Sequence, residues 1–96
     1  MAPKVEIYTR SNCAYCQRAK ELLRIKGVDF VEYDIINDHL LAAEMRLRSQ
    51  RQDVPEIFVN DVLHCGSSEL FELDERGQLD GKLGLSLPFG ATFQTA

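Results

Sequence analysis

Between Lys4 and Ile35 the chain changes its hydrophobic period twice, and that change limits its fold more than any other feature. Lys4-Val5-Glu6-Ile7-Tyr8 alternates polar and apolar side chains, the pattern of a half-buried strand. Thr9 to Asn12 supplies turn and helix-capping chemistry. From Tyr15 onward Ala19, Leu22, Leu23 and Ile25 fall at helical spacing, and Gly27 is a natural helix stop. Phe30-Val31-Glu32-Tyr33-Asp34-Ile35 then reads as a second strand. Two strands joined through a helix need a crossover connection, so they are expected to be parallel neighbours in one sheet.

The rest of the chain completes such a sheet. Asn37 or Asp38 is placed to cap a helix running through Leu40, Leu41, Ala43, Glu44, Met45 and Leu47. A polar stretch from Ser49 to Asp53 leads to Val54-Pro55 and the apolar Ile57-Phe58-Val59. Asn60-Asp61 is a two-residue hairpin signal, with Val62 to Cys65 as the return strand, antiparallel to the one before it. Gly66-Ser67-Ser68 opens a last helix containing Leu70, Phe71 and Leu73. The expected fold is α/β, a four-stranded mixed sheet flanked by three or more helices. One domain is expected over residues 1–83, with residues 84–96 as a tail of no clear period.

At 96 residues the chain has room for one core and not for two. Its net charge of −4 gives nucleic acid no general basic surface to grip. The apolar runs fall far short of the roughly 20 residues of a membrane span. No charged lead followed by an apolar stretch marks a signal peptide, and three cysteines do not make an even disulfide framework. A soluble monomer of a reducing cytoplasm is expected, without nucleic-acid or membrane partners.

Cys13 and Cys16 sit where the first strand gives way to the first helix. Such a pair is half of a zinc site, a structural disulfide or a redox-active dithiol. Structural zinc takes four ligands, usually two such pairs, and only His39, His64 and Cys65 remain as soft ligands. A strand before the pair and a helix after it favour redox chemistry. Cys13 would lie in the helix's first turn, where unsatisfied N–H groups and the positive end of the dipole favour a thiolate. Arg10, Arg18 or Lys20 could add positive charge, and Cys16, one turn on, would be the more deeply packed resolving thiol.

Three further elements have both an ordinary and a chemical reading. Pro55 is an ordinary strand opener, or a cis residue that leaves the Val54 backbone free to pair with an extended substrate. Ser67 and Ser68 are ordinary helix caps, or part of a helix N-terminus that receives a carboxylate. His64 reads as a strand residue, His39 as a surface residue of a helix's first turn, and Cys65 as a small buried apolar residue.

Taken together, Val5-Glu6-Ile7-Tyr8-Thr9-Arg10, Cys13-Ala14-Tyr15-Cys16-Gln17-Arg18-Ala19-Lys20, Val54-Pro55 and Ile57-Phe58-Val59 resemble a dithiol glutaredoxin, with the likeness running from about residue 4 to residue 83. The resemblance implies a thioredoxin-like fold and glutathione-dependent thiol–disulfide exchange with protein disulfides and glutathionylated proteins. It makes Cys13 the nucleophile and Cys16 the resolving thiol. Arg10, where the family usually has Lys, would hold the glycyl carboxylate of glutathione. Tyr15 and Asp53 would border the groove, and Val54 before Pro55 would pair with the cysteinyl moiety. Gly66, Ser67 and Ser68 would receive the γ-glutamyl end.

Several residues depart from the family pattern. Ala14 stands where the family usually has Pro, and the resemblance implies that relatives lacking that Pro can bridge a [2Fe–2S] cluster between two subunits with glutathione. The alternative this raises is a dimeric cluster carrier or sensor with Cys13 as ligand. Asp53 replaces Thr and brings a carboxylate close to the thiols, and Ser68 stands where an Asp usually meets the glutathione amino group. These two changes raise a further alternative, a thioredoxin-like reductant with weak glutathione use.

Overall fold

The computed structural model describes residues 3–85. Its elements are β1 (Val5–Thr9), α1 (Ala14–Ile25), β2 (Val31–Asp34), α2 (His39–Ser49), β3 (Glu56–Val59), β4 (Leu63–Gly66), α3 (Ser67–Glu75) and α4 (Leu79–Lys82). The four strands lie in the order β2-β1-β3-β4. β1 and β2 are parallel, with Ile7 opposite Glu32, and β3 runs antiparallel to both β1 and β4, with Ile57 opposite Ile7 and Cys65. The crossover and the antiparallel hairpin expected from the sequence are both present.

The sheet is covered on both faces. Val5, Ile7, Ile57, Val59 and Cys65 pack with Ala19, Leu22 and Leu23 of α1, Leu70 of α3, Leu79 of α4 and Leu83. Tyr8 and Phe58 point the other way, onto Ile35 and Met45. This corrects the reading of β1 as half-buried, since every residue of the strand is buried. Its polar positions survive inside because Arg48 of α2 reaches over them. The guanidinium bonds Glu6 Oε1 at 3.0 Å and the Tyr8 hydroxyl at 2.8 Å, and lies 4.0 Å from the centre of the Phe58 ring. Burial alone would raise the Glu6 carboxyl, but hydrogen bonds from Arg48 and Tyr33 hold it below its usual range. A paired carboxylate can be buried where an unpaired one cannot.

Two assignments within α1 are also corrected. Ile25, the last residue of the helix, is exposed, although Leu22 and Leu23 in the same turn are buried. Lys20 is buried and directed at β2, where its Nζ meets Glu32 Oε2 at 2.9 Å. Its charge is spent on that pair rather than on the Cys13 thiol. Asp38, not Asn37, caps α2 by accepting the Leu41 N–H at 3.0 Å. In the hairpin Asn60 and Asp61 both take positive φ (55° and 58°), as a type I′ turn requires. The register pairs Val59 with Leu63, so Val62 belongs to the turn and the return strand starts one residue later than expected.

The short helix α4 has no counterpart in the sequence reading, yet Leu79 and Leu83 are fully buried. Lys26 at the end of α1 ties it down, with Nζ 2.9 Å from Asp74 and 2.7 Å from Asp80. Leu85 still packs against the first core. The expected tail lies outside the described residues from residue 86 onward.

Candidate active site

Three connections meet at one end of the sheet: β1 to α1, α2 to β3 and β4 to α3. β1 delivers the chain to Arg10, whose carbonyl accepts the Cys13 N–H at 3.2 Å. Cys13 is the N-cap of α1 with extended backbone, one position before the first turn in which it was expected. Its Sγ accepts the Cys16 N–H at 3.2 Å, so the sulfur occupies the capping position ordinarily taken by an oxygen. All three cysteines are free thiols.

The two thiols of the pair differ sharply. Cys13 is partly exposed, whereas Cys16 is completely buried. Burial, followed by the hydrogen bond with Cys13, pushes the Cys16 thiol up to about 12. Cys16 is therefore a protonated thiol packed behind an accessible sulfur. Beside that sulfur runs the segment before β3, with the Val54 carbonyl oxygen 4.0 Å from Cys13 Sγ and a cis Val54–Pro55 bond.

A groove of about 460 Å³ opens next to the pair. It gathers Tyr15, Asp53, Val54, Gly66, Ser67 and Ser68, six residues that the sequence had pointed to. Arg10 is exposed and Pro55 is buried, and neither lines the groove. Arg51 and Glu69 do line it and were missed. They form a two-pronged pair across the groove wall, Nη1 to Oε1 at 2.9 Å and Nη2 to Oε2 at 3.1 Å. Glu69 Oε1 also accepts the Gly66 N–H at 2.6 Å. Arg51 first, then that N–H, bring the Glu69 carboxyl down to about 2.

The sequence held a signal for Glu69. It stands three residues after the Gly66 cap, where a Glu returns to bond the cap's N–H. Capping by Ser67 or Ser68 is corrected, because β4 runs directly into α3 and the cap falls on the last strand residue, Gly66. Nothing in the sequence alone pairs Arg51 with a residue on another element.

Behind the groove, Glu56 is fully buried with its Oε1 2.5 Å from His64 Nε2. Its Oε2 has no partner, and burial raises its carboxyl above the usual range. His64 is thus a strand residue, as expected, that also serves Glu56 and stacks on Phe58 at 4.7 Å. Cys65 belongs to the first core, and its thiol is pushed up to about 12 by that burial. Among the described residues no three of His, Cys, Asp or Glu converge as a metal site would require, so the zinc alternative finds no second set of ligands there.

Comparison with known proteins agrees with this geometry. The family model described as Glutaredoxin matches residues 5–64. Glutaredoxin 3 of Escherichia coli K12 is 49% identical over 77 residues, covering 79% of this chain and 92% of the relative. The solution structure of a glutaredoxin from Brucella melitensis is 43% identical with a TM-score of 0.74, over 85% of this chain and 89% of that one. A dithiolic glutaredoxin from Trypanosoma brucei brucei is 32% identical with a TM-score of 0.73, over 83% and 86% respectively.

Proposed function

The chain belongs to the glutaredoxin family, and from that footing we propose how its residues divide the work of a glutathione-dependent thiol–disulfide oxidoreductase. Cys13 is the nucleophile and Cys16 the resolving thiol. The observation that carries this assignment is their asymmetry: one sulfur accessible at a helix N-terminus, the other a buried thiol one turn behind it.

The Cys13 thiolate attacks the glutathione sulfur of a glutathionylated protein. The protein's cysteine leaves as a thiolate and takes up a proton, and Cys13 is left in a mixed disulfide with glutathione. A second glutathione thiolate then attacks that glutathione sulfur, releasing glutathione disulfide and restoring Cys13. For a protein disulfide, Cys13 forms the mixed disulfide with one substrate sulfur. Cys16 loses its proton and attacks Cys13, releasing the second substrate thiol and leaving a Cys13–Cys16 disulfide. Two glutathiones reduce it and leave as one glutathione disulfide. The hydrogen bond from the Cys16 N–H meets the Cys13 sulfur each time it departs as an anion.

Glutathione lies in the groove as a short extended strand. Its cysteinyl moiety pairs with the Val54 backbone, and its γ-glutamyl carboxylate approaches the α3 N-terminus at Ser67 and Ser68. Arg10, which is exposed and lies outside the groove lining, meets the glycyl carboxylate in this reading. The dithiol has to begin reduced, which fits a reducing compartment such as the cytoplasm. No described helix is long and apolar enough to cross a membrane.

Ala14 favours a second reading, a [2Fe–2S] carrier. Such a cluster takes four thiolates, and Cys13 is the one accessible cysteine among the described residues, so each chain fits a single ligand and the remaining thiols come from a second chain and glutathione. The test of the leading reading is glutathione-coupled reduction of a glutathionylated peptide. Cys13→Ser abolishes it and Cys16→Ser spares it while impairing reduction of a protein disulfide. Equal losses from both substitutions would refute the division of roles.

A further inference from the structure

We propose that Asp53 is a specificity residue that turns the groove against anionic thiol partners and towards disulfides whose cysteine is flanked by neutral or cationic groups. This rests on the groove being the site where the small thiol partner of Cys13 is held. Asp53 directly precedes Val54, whose carbonyl oxygen is 4.0 Å from the Cys13 sulfur. Its carboxylate is exposed and lines the groove together with Arg51 and Glu69. Both terminal nitrogens of Arg51 hydrogen-bond the Glu69 carboxylate, whereas Asp53 is the weakest of the carboxylates acting on that guanidinium and makes no hydrogen bond with it. The lining therefore holds two carboxylates and one guanidinium, and the carboxylate left over is the one nearest in sequence to Val54.

Glutathione brings two carboxylates and one ammonium into this groove. Asp53 repels each carboxylate set down within several ångströms of it and attracts the ammonium, so the net-anionic tripeptide is disfavoured and a partner that keeps only the ammonium is favoured. A thiol partner with an uncharged or basic flank escapes the repulsion. In a groove open to water such an interaction changes an encounter by about three- to tenfold. It also fades as salt shortens the screening length.

The test uses one reporter peptide joined by a disulfide to glutathione, to glutathione with its γ-glutamyl carboxylate esterified (the carboxylate brought to the groove wall that Asp53 shares with Ser67 and Ser68), or to cysteamine. Reduced protein is mixed with each in single-turnover conditions, so that only the first attack is read: Cys13 takes the small thiol into a mixed disulfide and the peptide thiol is released. In the wild type the ester and cysteamine substrates outrun the glutathione substrate at low salt, and the gap narrows at high salt. In Asp53→Asn the ratio of ester to glutathione rates falls by about three- to tenfold and loses its salt dependence, while Asp53→Glu keeps both. An ester-to-glutathione ratio that is the same in wild type and Asp53→Asn, or that ignores salt, overturns the proposal while leaving the oxidoreductase reading intact. Failure of the wild type to attack any of the three would refute that reading, and the role of Asp53 with it.

Discussion

The backbone N–H of Cys16 donates to the sulfur of Cys13 at 3.2 Å, while the Cys16 side chain itself is closed off from solvent. The same residue thus supports the accessible sulfur through its backbone and hides its own. Brief treatment of the reduced protein with iodoacetamide at neutral pH is therefore expected to label one cysteine. Cys16 and Cys65 are both buried thiols pushed up to about 12, with almost no thiolate to react. Peptide mapping by mass spectrometry should find the adduct on Cys13 alone. Early labelling of Cys65 would show that β4 opens far more readily than its packing implies.

The Arg51–Glu69 pair makes a signed prediction about acid. With its carboxyl brought down to about 2 in the folded protein, Glu69 stabilises the fold above its usual value of 4.5. That contribution is lost as pH falls from there towards 2. Glu69→Gln is expected to lower stability at pH 7 by no more than about 1 kcal/mol, since the pair is partly exposed and water screens it. The difference from wild type should close as the pH is lowered from 5 to about 2. Chemical denaturation of both proteins across that range checks it, and a gap that widens in acid would contradict the assignment.

Much of the scaffold could be read in the sequence because it is written locally. The switch of period between Tyr8 and Tyr15 placed Cys13 and Cys16 at the start of the helix that follows β1, and Asn60-Asp61 placed the hairpin. What could not be read depends on residues brought together from distant positions. The alternation in β1 suggested one wet face, because a sequence does not show that Arg48, 42 residues on from Glu6, will lie over it. Lys20 looked available to the thiols until β2 set Glu32 beside it. Arg51 looked like loop polarity until α3 supplied Glu69. Six groove residues were legible through family resemblance, and the ion pair that organises their wall was not.

Glu56 carries the opposite pH signature to Glu69. Burial raises its carboxyl above 4.5, so its contribution to stability is fully present below that value and is lost as pH rises through the raised one. One of its carboxyl oxygens has no hydrogen-bond partner, so a charge on the group is poorly compensated. Glu56→Gln keeps the shape and a polar group for His64 while removing a buried charge, and it is expected to be neutral or stabilising by about 1 kcal/mol at pH 8. The advantage should shrink at pH 4. Thermal melts at the two pH values decide the matter, and a large loss at pH 8 would mean that the Glu56–His64 pair is worth more than the burial it costs.

Gly66 tests whether the groove wall matters separately from the fold. Its φ of −93° suits any residue, so the demand for glycine here is one of space. A Cβ at this position would lie 3.2 Å from Arg51 Nη1 and 3.4 Å from Glu69 Oε1. Both are ends of flexible side chains, so Gly66→Ala should shift the pair by a few tenths of an ångström and cost less than about 1 kcal/mol of stability. The same shift presses the pair into the groove beside Ser67 and Ser68. The expected result is a KM for the glutathionylated peptide raised about three- to tenfold with kcat nearly unchanged, the pattern of lost binding that is shared by ground and transition states. A fall in kcat at constant KM would instead put the effect at the thiols, and would mean that the wall formed by Arg51 and Glu69 holds Cys13 rather than the substrate.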